Sequence, residues 1–237
     1  MRDAVALPSP SNARAFHLVV FLVAAAAVIL QLVLILQGAQ HLGETENDIA
    51  AADHPDLGTR LVRFVSYLTI WFNVLVAGTE LVLAANAERS GGRVFRALRL
   101  DALVLAVGGG VVHWFLLRPL LHLDGADYVA DKLLHIAVPL LCLVGWVVFG
   151  PRGLITARDV AAFLVLPVGW LVYTLVRGEL VDWYPYPFID VGEHGYAVVL
   201  LTCVGISALM LVLALGAMWL DHRLRGAPSD EVVTPAR

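Results

Sequence analysis

The sequence predicts an all-α membrane protein: a bundle of six transmembrane helices with the N- and C-termini cytoplasmic. Three observations lead there. Hydrophobic residues make up 59% of the 237 and charged residues 15%, with a mean hydropathy of +0.80, and a water-soluble domain so composed lacks the polar surface to cover itself. Six apolar runs reach the roughly 20 residues that a helix rising about 1.5 Å per residue needs to cross about 30 Å of hydrocarbon. The cationic residues fall mostly on one side of those runs.

The runs are residues 16–36, 64–86, 98–121, 132–149, 159–176 and 196–220. Periodicity does not separate helix from strand in continuous apolar sequence. Length does, because a spanning strand needs only about 10 residues and alternates. The first run is far longer than the apolar core of a signal peptide and no small-residue cleavage pattern closes it, so it is read as a retained helix. Between helices two and three and at the start of three lie Arg89, Arg93, Arg96 and Arg99, and between four and five lie Arg152 and Arg158. With the five tail arginines these make 11 of the 16 cationic residues. The opposite side holds acidic clusters at 44–56, 124–131 and 179–193. That asymmetry puts both tails in the cytoplasm.

The organisation read from this pattern is a cytoplasmic tail over 1–15, one transmembrane domain over 16–220 and a second tail over 221–237. The outer loop 37–63 is expected to be mobile and the tails disordered. No internal repeat of the inverted-transporter kind is visible. Cys142 and Cys203 fall inside helices four and six and read as small apolar residues rather than a disulfide. One Lys against fifteen Arg, with abundant Ala, Val and Leu, points to a GC-rich, bacterial genome and hence to a bacterial inner membrane. The net charge of −4 says little about nucleic acid, but no basic, aromatic-interleaved surface supports it as a partner, and none is expected. No metal, nucleotide or other cofactor motif is present.

Polar groups inside the span carry the chemistry. At 100° per residue Thr69, Asn73 and Glu80 lie within 40° of one another on helix two, a polar stripe that must face the bundle interior. Thr69 sits about six residues below the outer start of that helix, roughly 8 Å deep. His135 enters from the same side on helix four and reaches a similar depth. Asp131, one turn earlier, is placed to orient the imidazole and raise its basicity. Pro139 has no N–H for the His135 carbonyl and opens the helix there. A hydroxyl, an imidazole and a carboxylate in that order are the minimum geometry of a nucleophile and its base. Spacing alone also allows the plainer reading of a Thr bonded to its own helix and an interfacial His.

His113, beside Trp114, lies near the same level on helix three. This opens another reading, in which His113 and His135 are axial ligands of a haem. Asp101 is expected to pair with Arg99 and Arg96, and Glu80 has no partner that the sequence can name. Residues 181–190 pack Trp183, Tyr184, Tyr186 and Phe188 around Pro185 and Pro187. They form either a belt at headgroup level or a lid over a lipid-accessible pocket lined by Trp183, Tyr186 and Phe188, with His113 and Trp114 nearby.

At Tyr67-Leu68-Thr69, His135-Ile136-Ala137-Val138-Pro139 and Trp183-Tyr184-Pro185-Tyr186-Pro187-Phe188 the chain resembles the family of the androgen-induced and androgen-dependent TFPI-regulating proteins and their bacterial relatives. The likeness covers most of helices two to six in the same order. It implies a multi-pass threonine hydrolase acting on fatty acid esters of hydroxy fatty acids, with Thr69 as nucleophile and His135 as base. Ile136 and Ala137 stand where that family has small hydroxyl residues. The expectation is therefore a membrane lipid-ester hydrolase in which Asp131 orients His135 and Asn73 serves as the oxyanion donor. The competing expectations are a transporter or lipid-binding bundle and, after those, the haem protein.

Overall fold

The computed structural model describes residues 9–38, 55–87 and 91–224. Most of the 37–63 loop and of both tails lies outside the described residues, so the expectations for them are not addressed. Among the described residues there is no strand, and six helices are long and apolar enough to cross a membrane: α1 (Pro10–Leu36), α3 (Leu68–Ala85), α4 (Arg93–Leu120), α5 (Gly125–Phe149), α6 (Ala157–Val181) and α7 (Val191–Arg223). A shorter α2 (Leu57–Ser66) precedes α3. Large apolar side chains face outward all around, among them Phe115, Leu180 and Leu201 at 70%, 77% and 73% exposure. Such a surface fits the membrane-like length and composition of the six helices.

Helix starts follow local chemistry. The side chains of Ser9, Asp56 and Asp190 accept from the backbone N–H three residues on, at Asn12, Thr59 and Glu193. Thr156 and Asp159 form a reciprocal capping box at the start of α6. Consecutive spans run in opposite directions, so the start of α1 and the end of α7 share one end of the bundle, called here the terminal end. The beginnings of α3 and α5 lie at the other, distal end.

The expected continuous helix over 64–86 is two helices, because Tyr67 is extended (φ −74, ψ 124). Two indoles explain the break. Trp71 Nε1 donates to the Val65 carbonyl at 2.7 Å and Trp170 Nε1 to the Ser66 carbonyl at 2.8 Å. The carbonyls that would continue the ladder are thereby taken, and a new helix starts at Leu68. The last span is also interrupted, at Gly195 (φ 72, ψ 156), a conformation that glycine tolerates without strain.

The core closes on small residues. Ala24 and Ala27 of α1 pack near Phe72 and Val76 of α3 in one buried cluster. Gly108, Gly109 and Gly110 of α4 each receive a different neighbour: Met210 of α7, the Phe72 ring, and the backbone carbonyl of His135. A run of three glycines thus lets three helices approach α4 together.

Candidate active site

Because α3 begins at Leu68, Thr69 stands in its first turn at the distal end, not six residues down a longer helix. His113 and His135 each lie in a π turn, His113–Leu117 in α4 and Leu133–Ala137 in α5. Such turns widen the helix by one residue and re-aim the side chains they carry. Pro139, which cannot donate, follows the second of them.

The side chains expected to meet do meet. Thr69 Oγ1 is 3.2 Å from His135 Nε2. His135 Nδ1 lies 3.1 Å from Asp131 Oδ1 and 3.2 Å from the Asp131 carbonyl. A carbonyl oxygen only accepts, so Nδ1 carries the proton and Nε2 is left as the acceptor for the Thr69 hydroxyl. Thr69, Asp131 and His135 are all buried, and Lys132 Nζ donates to the other Asp131 oxygen at 2.7 Å.

His113 completes the group in an unforeseen way. Its ring stacks face to face on His135, with centroids 3.7 Å apart and planes 4° from parallel. Asp131 Oδ1 lies 2.9 Å from its Nε2. That contact is out of line for a hydrogen bond, and neither His113 nitrogen has a hydrogen-bond partner among the described residues. His113, Asp131 and His135 offer three ligand atoms within 4.8 Å. With the rings parallel and stacked, an ion reached by both lies far out of the plane of each, unlike a ligand nitrogen aimed at its metal. The same stacking leaves no room for a porphyrin between the imidazoles in this arrangement, so the geometry gives the bis-histidine haem reading no support.

Tyr186 is the strongest addition. Its hydroxyl accepts from the Thr69 N–H at 3.2 Å and lies 3.2 Å from Thr69 Oγ1. Its ring is buried among Tyr67, Trp170 and Phe188. Burial pushes its phenol up to about 12, so the hydroxyl keeps its proton at neutral pH. Within the aromatic segment Tyr186 and Phe188 therefore turn inward to line the cavity.

Three expected residues are elsewhere. Asn73 Nδ2 donates to the Thr69 and Leu134 carbonyls at 2.8 and 3.4 Å. With its amide hydrogens held by backbone, it ties α3 to α5 and does not face the site. Trp114 points outward at 53% exposure. Trp183 lies against the Tyr67 ring edge, between the guanidinium groups of Arg63 and Arg177, outside the pocket wall.

Thr69, His113, His135 and Tyr186 form one end of a cavity of about 140 Å³, whose other walls are mostly apolar and include Phe72, Leu105, Phe163, Trp170 and Met210.

A second polar cluster occupies the terminal end. His17 Nδ1 and Glu80 Oε2 are 2.6 Å apart, both fully buried. Matching depths would have found this pair too, since His17 is about two turns past the capped start of α1 and Glu80 about one and a half turns before the end of α3. Asp101 is buried but does not pair with the nearby arginines. Arg99 instead donates to the Gly150 and Pro151 carbonyls, and Arg96 bonds Asp159.

No protein-family model, no curated protein and no solved structure matches the chain.

Proposed function

We propose that this chain is a membrane-embedded hydrolase of lipid esters, with Thr69 as nucleophile, His135 as general base and Asp131 as the carboxylate that orients it. One observation carries the reading: the Thr69 hydroxyl, the His135 imidazole and the Asp131 carboxylate form an unbroken hydrogen-bond relay at the polar end of an apolar cavity. His135 Nε2 takes the Thr69 proton as the oxygen attacks the ester carbonyl. Collapse of the tetrahedral intermediate expels the alcohol, which leaves with that proton. Water, deprotonated by the same nitrogen, then releases the acid from the acyl-threonine. The Tyr186 hydroxyl beside Thr69 Oγ1 takes over the oxyanion role first expected of Asn73, donating its proton to the developing charge. His113, stacked on His135 and touching the same carboxylate oxygen, holds the imidazole plane.

The resemblance to the androgen-induced protein family supports the same nucleophile and base. Cationic bias supports a cytoplasmic terminal end, which puts the site at the outer face of a bacterial inner membrane. The buried His17–Glu80 pair favours a second reading, a proton-coupled transporter, since ionisable groups inside spans mark ion paths.

A fluorophosphonate probe and an ester-hydrolysis assay separate the two. Wild type is expected to be labelled and active, and Thr69→Ala and His135→Ala to lose both. Labelling that survives Thr69→Ala removes the nucleophile assignment.

A further inference from the structure

The cavity has a feature that hydrolysis alone does not require. Leu164 and Val168 of α6 and Ser207 of α7 line it together with Thr69 and His135, yet all three are exposed on the lipid-facing surface. The cavity is therefore slotted between α6 and α7. Depth places the slot. Tyr196, whose hydroxyl bonds Glu179, marks the polar distal end of α7, and Ser207 lies about 16 Å further along the helix. Half of a hydrocarbon layer is about 15 Å, so the slot opens near mid-bilayer while the hydroxyl and imidazole sit at interfacial depth. Volume adds the constraint. A cavity of about 140 Å³ compares with the roughly 150 Å³ pocket that encloses a benzene, so it holds about six carbons and not a whole fatty chain.

We propose that the site takes an ester-linked acyl chain in the orientation it already has in a bilayer leaflet. The carbonyl sits at Thr69, the first carbons lie in the cavity, and the rest of the tail returns to lipid through the α6–α7 slot. This deepens the hydrolase reading and rests on it. Tail length is then not discriminated, because carbons beyond the cavity remain in lipid and lose no solvation on binding. A closed pocket of the same volume rejects long chains.

The test uses the full chain in phosphatidylcholine nanodiscs. Wild type is expected to hydrolyse p-nitrophenyl octanoate and palmitate with kcat/KM values within about threefold of each other. Plugging the slot with Ser207→Trp, or with Val168→Trp as an independent second variant, is expected to lower the palmitate-to-octanoate ratio at least tenfold. Val198→Trp, also lipid-facing on α7 at 53% exposure but away from the cavity, is expected to leave it unchanged. A hexadecyl ether carrying a mid-chain diazirine supplies a readout free of turnover. It is expected to cross-link Phe163 and Met210, which are 0% and 7% exposed, and to lose both in Ser207→Trp. Cross-links confined to lipid-facing residues, or a wild type that rejects palmitate, overturn the slot while leaving the hydrolase reading standing. Phe163 and Met210 labelling without ester turnover keeps the chain site and removes the hydrolase.

Discussion

Tyr186 has a double relation to Thr69: its hydroxyl accepts from the backbone N–H and touches the side-chain oxygen of the same residue. Removing the hydroxyl in Tyr186→Phe strips one donor from the place where negative charge develops. A fall in kcat of about 10²-fold or more is expected, by comparison with other oxyanion donors. The titration of this phenol predicts a stability effect of definite sign. Its folded value, about 12, lies above the ordinary 10, so the neutral form is favoured by folding. That contribution is fully present below pH 10 and is lost as pH rises from 10 towards 12. Thermal unfolding in detergent is expected to show wild type losing stability relative to Tyr186→Phe across that window. A constant difference between the two proteins contradicts the assignment. Counting residues along two helices brought Thr69 and His135 to one end of the bundle, although the break at Tyr67 puts Thr69 in a first turn and not six residues down. Tyr186 was legible only as part of an aromatic segment, since the direction in which a loop folds is set by what it packs on.

At the scale of elements, the site depends on how closely α4 and α5 approach. A Cβ added at Gly110 comes 2.8 Å from the His135 carbonyl, which is backbone and has no rotamer to change. Gly110→Ala is therefore expected to displace the π turn that carries His135 and to cost about 10²-fold in kcat, the scale of an ångström of misplacement in an active site. Gly78 has nothing within 4 Å of an added Cβ. Gly78→Ala is expected to leave activity intact and to stabilise its helix by about 0.5–1 kcal/mol, measured by thermal melts. The break at Tyr67 belongs to this scale as well. Nothing local in Phe64-Val65-Ser66-Tyr67-Leu68 signals an end of helix. The interruption comes from Trp71 and Trp170, and Trp170 is more than a hundred residues away in sequence.

Across the whole molecule, two buried polar centres stand at opposite ends of the bundle, and they answer differently to substitution. The relay around His135 opens on a cavity, whereas the His17–Glu80 pair joins α1 to α3 in the packed interior. Leaving one member of a buried pair uncompensated costs about 3–5 kcal/mol, while replacing both by apolar residues is often close to neutral. Glu80→Leu is thus expected to destabilise the detergent-solubilised protein by that amount, and His17→Leu with Glu80→Leu to recover most of it. Ester hydrolysis by the double variant is expected to match wild type. Loss of hydrolysis in a double variant of wild-type stability contradicts this independence of the two centres.

The number of apolar helices was legible in the sequence alone, because the hydropathy of a span is a local sum, whereas the start of one of them was moved by a distant indole. The inward stripe of Thr69, Asn73 and Glu80 was equally legible, since helical periodicity assigns a face and the cost of polar groups in lipid assigns its direction. Tertiary structure alone decided what each of these residues meets. Asn73 spends its amide on backbone, Glu80 finds His17, and Thr69 is left with His135 and Tyr186. Hydrogen-bond partners are chosen by distance in space, and residues that share a face and a composition diverge once different helices stand opposite them.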